Sequence, residues 1–407
     1  MLRRLLIPAL LCQTLPALAQ DAIKLSPLPK LLEETSSGPW GTLEYYKVRL
    51  SCPPQYLSLV PVPSAQTEWI FPYETEEELL QALAEDGMSF EEIAYLLKDR
   101  HLIITEEFMR IFPSPEVITG MPAALRSKFY RILARFPQNT FHHRPAFLNT
   151  ANVSLYFKDS DLSVTILQKI ALLAYPSPSG HGFFLSDIPY LLKEADGSEA
   201  ERRILNALLR VPALMVRLNL SKVESVEGVS NYWKSRFRNK QIAPLFDSIM
   251  ANPHIQRIDI GHLLPPTARQ NLNSFPGMGE GLSGSSPDWF WTCYNFFRFT
   301  PVNVYANLEG RDELLAKEFS RGTAPYEFGD MLLLKSQGRT IHGCIYIAED
   351  IVYTKNGAGL LVPTILMKLQ DMVSYHDLEG DIALEIYRKT PHNRKTSVIS
   401  GSGSKSN

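Results

Sequence analysis

From Phe328 to Gly357 the sequence reads FGDMLLLKSQGRTIHGCIYIAEDIVYTKNG, three runs of strand-forming residues in close succession with a turn before each. Gly329-Asp330 turns the chain into Met331 to Lys335, Ser336 to Thr340 turns it into Ile341 to Ile347, and a short polar turn leads to Ile351 to Lys355. Connections this short leave no room for a crossover, so neighbouring strands must run antiparallel. Leu360 to Met367 and Ile382 to Arg388 are also strand-like, with Gln370 to Val373 between them, and would complete a small sheet.

Side chains alternate along a strand, so His342, Cys344 and Tyr346 share one face. If Ala348-Glu349-Asp350 is the hairpin loop, Ile347 pairs with Ile351 and His342 falls opposite Asn356, with Cβ atoms about 4.5–5.5 Å apart. A two-residue loop would put Gly357 opposite instead and leave Thr354 or Asn356 on diagonals. The partner of the imidazole is therefore open between Asn356 and Thr354. Upstream, Cys293 follows a run of small and turn-forming residues (Gly277 to Pro287) and precedes the aromatic segment Tyr294 to Phe299. That placement predicts a cysteine at a helix start, where the positive end of the dipole favours the thiolate. Cys before His is the chain order of a papain-like site. In that reading Cys293 attacks a carbonyl, His342 carries the proton, Asn356 orients the imidazole, and the Cys293 N–H stabilises the oxyanion. Cys344 is a rival thiol, although a small buried hydrophobe is the simpler reading of a strand cysteine.

This order resembles the NlpC/P60 superfamily of cysteine peptidases and amidases over roughly the last third of the chain. The resemblance rests on Cys293, on Gly329-Asp330 before a strand, on His342-Gly343-Cys344-Ile345-Tyr346, and on a polar residue in the next strand. Two positions differ from the family pattern. Thr292-Cys293-Tyr294-Asn295 stands where Asp-Cys-Ser-Gly is usual, and the third catalytic position falls on Thr354, Lys355 or Asn356 rather than the frequent His. The resemblance implies a small papain-like α+β domain with an antiparallel sheet, and an exported amidase or endopeptidase acting on peptide or amide bonds, with peptidoglycan as the implied source. An acyltransferase or thioesterase on the same fold and a non-catalytic wall- or partner-binding protein are the alternatives.

The remaining chain sets the context. Arg3-Arg4, the apolar run Leu5 to Leu11 and Ala17-Leu18-Ala19 read as a signal peptide over residues 1–19, implying a periplasmic or extracellular protein. Leu11 before Cys12 is too large for a typical lipoprotein cleavage site, which disfavours a lipid anchor. Removing the two arginines takes the formal charge from −2 to −4, which is no footprint for nucleic acid. No later stretch is apolar for long enough to span a bilayer.

Residues 20–74 read as an extended N-terminal segment. The capping boxes Thr75 to Glu78 and Ser89 to Glu92 open two helices. Ser89 to Arg110, continuing into a helix over Thr105 to Ile111, has the outline of a helix-turn-helix, but an ordinary helical hairpin is the plainer reading. Ala123 to Phe136, Thr165 to Ala174, Leu185 to Lys193, Glu199 to Val211 and Gln241 to Ala251 complete a helix-rich region over 75–265. Residues 266–287 read as a linker or a loop flanking the active site, 288–390 as the NlpC/P60-like catalytic domain, and 391–407 as a disordered tail. The His142-His143 pair has no Cys or acid at ligand spacing, so neither a metal nor a cofactor is expected.

Overall fold

The computed structural model describes residues 32–390 apart from 58–65, 159, 179, 236–237, 253, 278–285, 303–309 and 378–380. The expected signal peptide and C-terminal tail lie outside the described residues, as do Cys12 and most of the Gly/Ser-rich part of 266–287.

In chain order, β1 (Glu33–Glu34) and β2 (Thr42–Leu50) begin a sheet that is completed only after two small sheets have formed. The first consists of β3 (Trp69–Phe71), β4 (His101–Ile104) and β5 (Met109–Phe112) in the order β3-β5-β4. The second has β6 (Ala146–Leu148), β7 (Tyr175–Pro176) and β8 (Phe183–Leu185) in the order β6-β8-β7. Then β9 (Val211–Asn219) pairs along the whole of β2, and β10 (Arg257–Asp259) adds to its other edge. The last sheet has six strands: β11 (Phe319–Arg321), β12 (Met331–Ser336), β13 (Arg339–Ala348), β14 (Ile351–Thr354), β15 (Ile365–Lys368) and β16 (Ala383–Lys389). Their order is β11-β16-β12-β13-β14-β15. Every one of these ladders is antiparallel, so the chain is of mixed α+β class.

The helix signals hold where a side chain enforces them. Thr75 and Ser89 each close a full capping box, starting helices at Glu76–Glu85 and Phe90–Leu96. The expected Ala123 helix runs Ala123–Ala134 and the Thr165 helix Val164–Leu173. The region 75–265 departs from the helical expectation in its strands. Where a second helix was expected over Thr105 to Ile111, β4 and β5 form a hairpin, its turn held by Thr105, whose Oγ1 accepts from the Phe108 N–H at 3.0 Å. The helix read as reaching Val211 stops at Leu208, and Val211 opens β9, because the residue before Pro212 is pushed to extended geometry.

One apolar cluster joins early and late segments. Leu43, Leu214 and Leu218 from the first sheet, Phe246 and Leu264 from the middle of the chain, and Phe290, Ile345 and Leu366 from the end all belong to it. The turn into β12 is fixed by Gly329 and Asp330. Gly329 has φ of +88°, and a Cβ there would lie 2.2 Å from the Phe297 ring. Asp330 is wholly buried and receives Arg388 Nε at 2.8 Å and Nη2 at 2.7 Å, tying β16 to the start of β12.

Candidate functional site

The helix that carries Cys293 runs Trp289–Tyr294 and is capped by Asp288, whose Oδ1 accepts from the Trp291 N–H at 2.9 Å. Asp288 Oδ2 also receives Arg311 Nη2 at 2.6 Å. Cys293 is thus the fifth of six helical residues and not the first. Its N–H is used within the helix ladder and cannot serve as an oxyanion donor. The expectation failed because Asp288 is an N-cap residue that starts the helix at Trp289, four residues before Cys293. Cys293 is 3% exposed, and burial pushes its thiol well above the ordinary value, with Cys344 and Asp288 adding to the shift. That is the reverse of an activated thiolate.

His342 lies in β13, and the alternation that groups it with Cys344 and Tyr346 decides the geometry. Gly343, Ile345 and Ile347 form the face covered by the Cys293 helix; a Cβ on Gly343 would sit 2.8 Å from the Trp289 ring. Cys344 and Tyr346 belong to the opposite apolar layer, with Leu332, Leu334, Val352 and Met372. His342, opposite Leu334 in the ladder, shares the Cys344 face by alternation, yet its ring centroid lies 6.0 Å from that of Trp289, the first residue of the Cys293 helix. No hydrogen bond joins Cys293 to His342. The structure does not bring the expected thiol and imidazole together.

His342 is 1% exposed, and its Nε2 shares a hydrogen bond with Thr354 Oγ1 at 2.8 Å. Its ring stacks on His376, at the end of the helix Leu369–His376, with centroids 3.8 Å apart and planes 21° apart. Burial and then the neighbouring His376 hold the His342 imidazole well below its ordinary value. Asn356, expected to orient the imidazole, does not bond to it. Its Nδ2 donates to Met367 Sδ at 3.2 Å, and Thr354 takes the orienting place. The hairpin turn is the two residues Glu349-Asp350, and an irregularity between Tyr346 and Ala348 sets Ile345 opposite Tyr353. That register would carry Asn356 level with His342, but β14 ends at Thr354, before the pairing reaches it.

The two histidines singled out earlier are also apart in role. His142 is buried against Tyr130, with ring centroids 4.5 Å apart, whereas His143 Nδ1 bonds the Ala134 carbonyl at 2.8 Å. Cys52, Cys293 and Cys344 are all free and buried. Among the described residues no cluster of three or more His, Cys, Asp or Glu side chains could hold a metal, and no helix is long and apolar enough to cross a membrane.

On the helix side of the sheet lies a feature the sequence did not announce. A cavity of about 160 Å³ opens between Trp291, the segment Ser274 to Gly277, and Lys355. Lys355 continues the Tyr353 side of β14 and is 1% exposed, with Nζ donating to the carbonyls of Gly357 at 2.8 Å and Gly359 at 3.1 Å. Burial, partly offset by Asp288, lowers its amine to about 7. The sequence offered Lys355 only as one of three places for the third catalytic position, and a lysine beside an Asn-Gly turn gives no sign of burial next to a cavity.

No family model, curated protein or solved structure matches this chain.

Proposed function

We propose that this chain is a non-catalytic binding protein whose last third resembles the NlpC/P60 superfamily in sequence motifs but does not pair the expected thiol and imidazole, with peptide or amide groups as its ligand class. The observation that carries this reading is that no hydrogen bond joins Cys293 to His342, whose Nε2 is engaged by Thr354 and whose ring stacks on His376. A nucleophile and its base must reach hydrogen-bond distance, about 2.6–3.2 Å, or a little more before substrate arrives. Here the residue at that distance from the His342 Nε2 is Thr354, not Cys293. The proton equilibria agree with the geometry, since a thiol raised by burial and an imidazole lowered by burial form neither a thiolate nor an imidazolium near neutral pH. The ligand class comes from the sequence resemblance alone, and export remains part of the proposal.

The test is labelling of the native protein with a thiol-reactive probe from pH 5 to 10, for wild type, Cys293→Ala, Cys344→Ala and His342→Ala. The expected result is that Cys293 stays unlabelled below about pH 8.5, the value for a free thiol, and reacts only on unfolding. Labelling below about pH 7 that vanishes in Cys293→Ala and moves to higher pH in His342→Ala would restore the cysteine amidase or endopeptidase reading.

A further inference from the structure

We propose that the cavity beside Trp291 is a binding site for a small monocarboxylate, with the Lys355 ammonium as its charge partner. A buried lysine is costly unless something takes up its charge. Two of its three donors are committed to the Gly357 and Gly359 carbonyls, which hold the side chain in place and leave one N–H for a ligand. Among the described residues the charged group acting on it is Asp288, and that carboxylate is already held by Arg311 and by the Trp291 N–H. One uncommitted cationic donor matches one negative charge, and a phosphate dianion would lack a second partner.

The walls fit the rest of such a molecule. Trp291, Phe275 and Pro287 supply apolar surface, and Ser274 and Thr364 supply polar surface. The wall is fixed in place, because Asn273 N bonds Thr364 O at 2.7 Å and Thr364 N bonds Ser274 O at 3.1 Å, stitching the 272–274 segment to the approach to β15. At about 160 Å³ the space is comparable to cavities of about 150 Å³ that admit a benzene ring. A short acylated amino acid or the last residue of a peptide, with its free carboxylate, is of that size. Neither His342 nor Cys293 lines the site, and its ligand does not depend on whether Cys293 reacts.

Protonation gives the proposal its signature. The carboxylate is charged above about pH 4 and the lysine below about pH 7, so binding is strongest between those values and weakens as the amine loses its proton. The experiment is calorimetric titration of the full chain with N-acetylalanine, N-acetylalaninamide and tetra-alanine at pH 6.0 and 8.5. The expected result is binding of a free carboxylate at pH 6.0, weaker by about tenfold or more at pH 8.5, and weaker by a similar factor for the amide. Preference for N-acetylalanine would mark a free small acid as the ligand, and preference for tetra-alanine a peptide terminus. Lys355→Met should abolish binding while Lys355→Arg retains part of it. Equal binding of acid and amide by the wild type, or none of either acid at millimolar concentration, overturns the proposal even if the variants fail to fold.

Discussion

Cys293 and His342 are both almost fully buried, and burial moves their proton equilibria apart: the thiol keeps its proton and the imidazole gives its proton up. The same physics acts on other histidines. Burial holds His142 at about 3 and His376 at about 3, and the Nε2 atoms of both are buried without a hydrogen-bond partner among the described residues. An unfolded histidine titrates near 6.5, so above that pH neither state gains from these rings. Below it only the unfolded chain takes up protons, and stability falls by up to about 1.4 kcal/mol per pH unit for each ring. Asp187 opposes this. Burial raises its carboxyl to about 6, so the folded state gains a proton as pH falls from about 6 towards the ordinary carboxylate value. With the histidines outnumbering it, urea unfolding should show a loss on the order of 3 kcal/mol between pH 7 and pH 5. His376→Phe should keep the stack against His342, remove one buried unpaired nitrogen and flatten that pH slope; an unchanged slope would remove His376 from the account.

Strands and helices were legible in the sequence wherever a local signal fixed them. The capping boxes at Thr75 and Ser89 and the five late strands appear within a few residues of where they were expected. Period-two alternation also showed that His342, Cys344 and Tyr346 share a face. What alternation cannot encode is which face a distant helix will cover, because that choice rests on contacts made in three dimensions. Here it rests on Gly343, whose missing side chain lets Trp289 lie against β13. The short strands β3 to β8 escaped notice because two to four residues carry no readable period. Two substitutions test these contacts. Gly343→Ala should push the Cys293 helix off the sheet and cost about 1–3 kcal/mol by overpacking, read from the denaturation midpoint. Arg388→Ala leaves the buried Asp330 carboxylate without its bidentate partner and should cost about 3–5 kcal/mol. An effect under about 0.5 kcal/mol would mean that water replaces the guanidinium, the behaviour of a surface pair.

Across the whole molecule, both large sheets are closed by strands far apart in the chain. β2 waits for β9, and β12 waits for β16, which enters between β11 and β12 instead of adding to an edge. Pairings of such long sequence separation fold slowly, because loop-closure entropy is lost before the contacts form. A chain shortened to end before Ala383 should therefore lose the six-stranded sheet and sediment as aggregate, whereas removal of residues 391–407 should leave the melting temperature unchanged. The interior place of β16 also has a meaning for synthesis. Roughly fifty residues separate the end of β12 from the start of β16, so at about 5–20 residues per second the open edge of β12 faces the cell for several seconds of translation. A nascent chain of this design needs a chaperone or a neighbouring segment to shield that edge until its last strand leaves the ribosome.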